Sequence, residues 1–238
     1  SGGSIVAVPT PQREIPMQGQ LLSIQVGQIQ RLCMPENLRV DFRHPFWTSA
    51  IVKSPIAGPV QVSPAGIAGD AQADLENHGG PDNIVLAYDA GHYPVWRERL
   101  AISDLARGAF GENFTLTGFS DDTVCIGDTW QVGPDDGLLL QVSQPRQPCF
   151  KLARRLLQPH IVKMVHETGW GGWYLRVLRP GPADAGMAIR LTERFHPDWP
   201  ITAALAAMYG RAKDRPRAAA LAQLPELSTR WKRELLDD

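Results

Sequence analysis

The sequence predicts a mainly β chain with added helices (α+β): a β-barrel-like domain followed by a small C-terminal three-helix appendage. Three observations carry the prediction. Short apolar runs of strand length recur between Gly, Pro and Asp turn signals, the pattern of a barrel or barrel-like sheet. Only two helix-period segments interrupt them. After His196 the pattern changes to three successive helical segments with capping signals.

Taken in order, residues 1–18 are rich in Pro and Gln and read as a loose arm. Residues 19–196 form the barrel domain. "QLLSIQVGQI" alternates roughly with period two, and "TSAIVKSPI" and "GPVQVSPAGI" read as short strands broken by Pro and Gly. "NIVLAYD" is a compact apolar strand. "AGHYPVWRERL" reads as a short helix with Pro94 in its first turn, where the missing N–H is tolerated. "ENFTLTG", "DTWQVG" and "GLLLQVSQ" give three more strands, set apart by the turn signals "IGD" and "PDDG". "CFKLARRLL" resumes a helical pattern, with Phe150, Ala153, Leu156 and Leu157 expected on its buried side. "GGWYLRVLR" and "MAIRLTERF" close the β region. Residues 197–238 form the appendage. "WPITAALAAMYG" is a helix ending at Gly210, "DRPRAAALAQL" starts with Asp214 as N-cap and Pro216 in the first turn, and "LSTRWKRELL" supplies a third helix from Ser228. A unit this small buries little by itself, so it is expected to dock on the barrel or on a second subunit.

Composition bounds the function. The chain has 238 residues, 43% apolar and 21% charged, within the range of globular proteins. A net charge of −1 gives no electrostatic case for nucleic acid or an anionic membrane surface. No apolar run approaches the ~20 residues of a bilayer-spanning helix. The opening "SGGSIVAVPTPQREIPMQ" has neither a basic start nor a sustained apolar core, so a cytoplasmic chain is expected. The three cysteines, Cys33, Cys125 and Cys149, are far apart and form no C-x-x-C pair, which argues for reduced thiols and against a structural zinc.

Four clusters stand out for chemistry. "IVKSPIAGP" carries Lys53 and Ser54. "GIAGDAQADLENHGGPDNIV" carries His78, Gly79, Gly80 and Asp82, and two successive glycines let backbone N–H groups converge on an anion. "GAFGENFTLTG" carries Gly111, Glu112 and Asn113. "VSQPRQPCFKL" holds Gln144, Arg146, Cys149 and Lys151 on a stiff strand exit bracketed by Pro145 and Pro148. Each has a bland counterpart: a tight loop, a capped turn, ordinary surface cations, a packed thiol. As a set, the cations, the hydroxyl and the flexible amides offer a phosphate site. Cations near a thiol favour its thiolate, which is both a nucleophile and a soft-metal ligand. No His/Cys/Asp cluster in the sequence supplies further ligands, so a metal at Cys149 would bring most of its own.

The ordered motifs "HGGPD", "FGEN" and "QPRQPCFKL", set within Leu21 to Leu191, resemble the MOSC domain proteins of the YiiM type, and the last helices resemble that family's three-helix extension. Asn83 stands where many relatives carry Lys, and Ala71 where many carry an acid. The resemblance implies a molybdenum cofactor, a molybdopterin whose dithiolene gives two sulfur ligands to the metal, with Cys149 giving a third. It places the pterin phosphate at Lys53 and Ser54, and puts Asn113 and Arg146 on the cofactor side beside Gly79 and Gly80. It implies reduction of N-hydroxylated bases such as 6-hydroxylaminopurine, a detoxifying role, and a homodimer. His78 is the candidate proton donor and Asp82 its orienting partner. No dinucleotide fingerprint, haem motif or iron–sulfur spacing is visible, so the electrons are expected from a separate flavoprotein. Two other readings stay open: a non-catalytic cofactor carrier or sulfur-handling module, and a metal-free cysteine nucleophile using Cys149 with His78.

Overall fold

The computed structural model describes residues 17–36, 45–72 and 80–237. Its strands are β1 (Gln18–Val26), β2 (Gln30–Cys33), β3 (Phe46–Ser49), β4 (Ser54–Pro55), β5 (Val60–Ser63), β6 (Gly66–Ile67), β7 (Val85–Asp89), β8 (Phe114–Thr117), β9 (Thr129–Val132), β10 (Leu138–Pro145), β11 (Trp173–Arg179), β12 (Gly181–Ala183) and β13 (Ala188–Glu193). The six helices are α1 (His92–Leu100), α2 (Phe150–Leu156), α3 (Ile161–Thr168), α4 (Ile201–Gly210), α5 (Arg215–Ala222) and α6 (Thr229–Leu236).

Seven strands close a barrel. The ladder runs β13-β9-β10-β11-β7-β8-β1, and β1 returns to β13 through pairs such as Gly19 with Ile189. Closure removes the exposed edges that an open sheet would present. All of these pairings are antiparallel except β7 with β8. Strand β4 adds to the end of β1, while β12-β5-β6 and β2-β3 form two small sheets outside the barrel. The interior is filled by large side chains, among them Leu21, Phe114, Trp130, Leu140 and Trp173, each at most 1% exposed. Burial of this kind stabilises by roughly 1.5–3 kcal/mol per large apolar side chain.

The C-terminal helices share that core. Ile201, Leu205, Leu221, Trp231 and Leu235 belong to the same apolar cluster as the barrel interior. The backbone is stitched across the boundary too: Ser228 N–H donates to Ser143 O at 3.0 Å, and Ile201 N–H to Val124 O at 2.9 Å. The appendage therefore docks on the barrel of its own chain. A second core lies beneath α1, α2 and α3, where Tyr88 stacks on Phe110 at 4.7 Å beside Trp96, Leu152 and Ile161.

Residues 1–16 of the expected proline-rich arm lie outside the described residues, and β1 begins at Gln18. Two other expectations need correction. Helix α2 buries Leu152, Ala153 and Leu156, while Phe150 is 58% and Leu157 41% exposed. The helix is too short to present a full apolar stripe, and Leu157 has already turned left-handed as its C-cap. Helix α3 was not expected: "IVKMVHET" is brief and mixed in polarity, and tertiary contact of Ile161 and Val165 decides it. Among the described residues no helix is long and apolar enough to cross a membrane.

Candidate functional site

Cys149 owes its position to the end of β10. That strand pairs with β11 up to Pro145 opposite Trp173, and Arg146 then donates its N–H to Gly172 O at 2.9 Å. Pro148 precedes Cys149, which holds an extended backbone at the N-cap position of α2, and Leu152 N–H donates to Cys149 O at 3.0 Å. The half-buried thiol thus sits where strand becomes helix, both of whose ends are tied down.

In front of it lies a cavity of about 100 Å³. Its wall includes Lys53, Asp70, Asn113, Arg146, Cys149 and Tyr174. Residues separated by up to 125 positions in the chain, Ser49 and Tyr174, are brought together here by barrel closure. Ala71 and Asn83 line the same space.

The polar groups are arranged as a charge pair and a framework. Lys53 Nζ lies 2.5 Å from Asp70 Oδ1 and 2.6 Å from Oδ2, and both side chains are under one-tenth exposed. Burial pushes the Lys53 ammonium below its usual value; Asp70, and then Glu112, oppose that shift. Asp70 Oδ1 also accepts from Gly27 N–H at 2.7 Å, and Oδ2 from Asn113 Nδ2 at 2.8 Å. Asn113 further donates to Gln25 O and accepts from Leu86 N–H, both at 3.2 Å, so its amide builds the wall between β1 and β7. Glu112, fully buried, accepts from Gly108 N–H at 2.7 Å, Phe110 N–H at 3.2 Å, Thr115 Oγ1 at 3.0 Å and the Tyr93 hydroxyl. It fixes the loop that carries Phe110 and Gly111 into the cavity. Gly111 has φ +81, and a Cβ there would stand 2.7 Å from Ile51 Cγ1, so only glycine suits the position.

Arg146 is the unusual member. Its side chain is 5% exposed, Nη2 donates to Phe110 O at 3.4 Å, and Nη1 has no hydrogen-bond partner among the described residues. A buried guanidinium donor left over in a cavity wall suits an anionic, acceptor-rich ligand. Tyr174 stands close by; burial raises its phenol above the ordinary value, Arg146 opposes that rise and Cys149 adds to it. Among the described residues, no group of three His, Cys, Asp or Glu side chains could hold a bare metal ion.

The other candidates fall elsewhere. Ser54 is exposed on β4, paired with Val26, and is not among the lining residues: the strand turns its hydroxyl position out of the pocket. Gly80 borders a neighbouring cavity that shares Asp70 and Gln72 with the first. His78 and Gly79 lie outside the described residues. Asp82, expected to orient His78, is engaged by Arg176, whose Nε and Nη2 reach Oδ1 at 2.9 and 2.8 Å, and its Oδ2 accepts from Thr229 N–H at 3.4 Å. Asp70 and Tyr174 were not singled out from sequence. Asp70 carried one signal, the "AGD" turn ahead of the His78 loop; Tyr174 carried none, since only the β10–β11 register places it opposite Gln144.

A MOSC domain model matches residues 74–190, and a YiiM-like, 3-alpha helix domain model matches residues 199–237. The barrel whose cavity Cys149 lines is thus a MOSC domain. The chain is 36% identical over 212 residues to the uncharacterized protein YflK of Bacillus subtilis, covering 89% of this chain and 90% of that one. It is 33% identical over 189 residues to YiiM of Escherichia coli, covering 79% and 83%. A protein named reductase from Gibberella moniliformis is 40% identical over 188 residues, 78% of this chain but 31% of that longer protein. The crystal structure of YiiM from Geobacillus stearothermophilus superposes with a TM-score of 0.73 at 33% identity, covering 91% of this chain and 97% of that one. The chain belongs to the YiiM-type family of MOSC-domain proteins.

Proposed function

We propose that this chain is a molybdenum-cofactor-dependent reductase of N-hydroxylated bases such as 6-hydroxylaminopurine. One observation carries the reading: Lys53, Arg146 and Cys149 face one cavity, and the buried Arg146 Nη1 has no partner among the described residues. Those groups fit a phosphate-bearing pterin, with Lys53 and Arg146 neutralising its anionic part and Cys149 offering a thiolate to its molybdenum. Bound there, the cofactor supplies two-electron reduction. The chain's own residues bind it, orient it through a stem fixed at both ends, and exclude water from one side of the reacting group.

Reduction of a hydroxylamine R–NHOH to R–NH2 and water consumes two electrons and two protons. The electrons are assigned to a separate flavoprotein, one proton to His78 and the second to solvent water. Asp82, held by Arg176, is assigned to anchoring its loop against β11 and α6. Removal of mutagenic base analogues would follow from that substrate. The name of the Gibberella moniliformis relative, of which this chain spans 31%, supports a reductase over a carrier.

The test is turnover of 6-hydroxylaminopurine by protein made in a cofactor-competent host, with a dithionite-reduced viologen as donor. Formation of the amine, lost in Cys149→Ala, supports the reading. Molybdenum bound without turnover would establish the carrier instead. Activity without molybdenum would establish a cysteine nucleophile.

A further inference from the structure

Asp70 has no place in the cofactor set carried by the sequence motifs, yet its carboxylate is tied to three different partners. It meets Lys53 Nζ with both oxygens, at 2.5 and 2.6 Å, and accepts from Gly27 N–H and Asn113 Nδ2 at 2.7 and 2.8 Å. These partners come from three places: the end of β1, the residue before β4 and the residue before β8. Lys53 cannot leave the wall without breaking two short contacts, and Asp70 cannot follow it without releasing Gly27 and Asn113.

We propose that Asp70 is a positioning residue that fixes the Lys53 ammonium in the cavity wall as the cation receiving an anionic group. This rests on the reading of the cavity as an anion-binding cofactor site. The titratable and charged groups around Lys53 are Asp70 itself, Glu112 from the loop before β8, Arg146 after the end of β10, and Cys149, Lys151 and Tyr174 lining the same cavity. Burial works against the ammonium, and Asp70 is the larger of the two carboxylate influences that restore it. Removing the carboxylate leaves a buried amine that loses its proton at lower pH. An arginine in its place stays charged without a partner.

Sulfate is the probe, since its own charge is constant above pH 4 and the cofactor is not needed. Sulfate binding to wild type, Lys53→Met, Asp70→Asn and the double variant Lys53→Arg/Asp70→Asn is followed by calorimetry from pH 6 to pH 10. The expected result is binding abolished in Lys53→Met. In Asp70→Asn the alkaline loss of binding moves down by roughly one to three pH units. In the double variant that shift is removed. Should Asp70→Asn fold poorly, Asp70→Ser with Lys53 retained gives the same comparison. Superposed profiles for wild type and Asp70→Asn overturn the proposal, as does the same alkaline loss in the double variant. Binding that is absent in wild type, or that persists in Lys53→Met as an adventitious ion only, overturns it too. Reductase turnover is measured separately, so either idea can fail alone.

Discussion

Arg146 hangs from Gly172: its backbone N–H donates to the Gly172 carbonyl at 2.9 Å, and the Gly172 N–H donates to Asp121 Oδ1 at 3.3 Å. Asp121 Oδ2 meets His92 Nε2 at 2.7 Å, and the His92 ring stacks on Trp170 at 4.3 Å. The cysteine stem is therefore held by a strap whose other side is a buried His–carboxylate pair between the start of α1 and the loop after β8. A Cβ on the neighbouring Gly171 would fall against the Arg146 carbonyl, well inside van der Waals contact. Gly171→Ala is expected to destabilise the fold by about 2 kcal/mol, the range of overpacking. It should also reduce molybdenum retention. Thermal unfolding and metal analysis check both, and an unchanged metal content would detach the strap from the site.

Glu112 is a framework carboxylate with four donors around it. Glu112→Ala leaves the amides of Gly108 and Phe110 unsatisfied, at a cost of about 1–3 kcal/mol each. Tyr93→Phe removes one donor and leaves the others, so about 1 kcal/mol is expected. Urea unfolding of the two variants should rank them in that order; equal losses would contradict the network.

The three thiols should separate by reactivity. Cys33 is exposed and Cys149 half-buried, whereas Cys125 is buried and its thiol is pushed up to about 11, by burial first and by Asp128 second. At pH 8 Cys125 is a protonated thiol and a poor nucleophile. Iodoacetamide followed by peptide mass spectrometry should modify Cys33 and spare Cys125. The spared thiol should begin to react only as the pH rises toward 11.

Trp231 joins the helical appendage to the barrel core at 1% exposure. Trp231→Ala is expected to cost about 3–5 kcal/mol, as for other buried aromatic truncations. A single cooperative transition should persist at lower temperature, because the helices and barrel share one apolar cluster. Two separate transitions would show that the helices fold apart from the barrel.

The fold was legible where local chemistry decides it. Asp214 caps α5 by accepting from Arg217 N–H at 3.1 Å and Ser228 caps α6 by accepting from Trp231 N–H at 3.2 Å, both written in residues that favour those positions. Barrel strands such as "NIVLAYD" were visible because apolar β-branched runs end at turn residues. What distance in sequence hides was not visible: the Lys53–Asp70 pair, 17 residues apart, and Tyr174 beside the Cys149 stem arise only when β1, β8, β10 and β11 close. Ser54 misled because its neighbour Lys53 lines the cavity, and successive residues in extended chain point opposite ways.

In the proposed function the Cys149 sulfur binds a molybdenum centre in this cavity. Molybdenum per chain, measured on wild type and Cys149→Ser purified from a cofactor-competent host, tests it directly. Close to one molybdenum per wild-type chain is expected, and at least a tenfold lower content in the serine variant, with both proteins equally folded. Equal molybdenum in the two, or none in either, would contradict it.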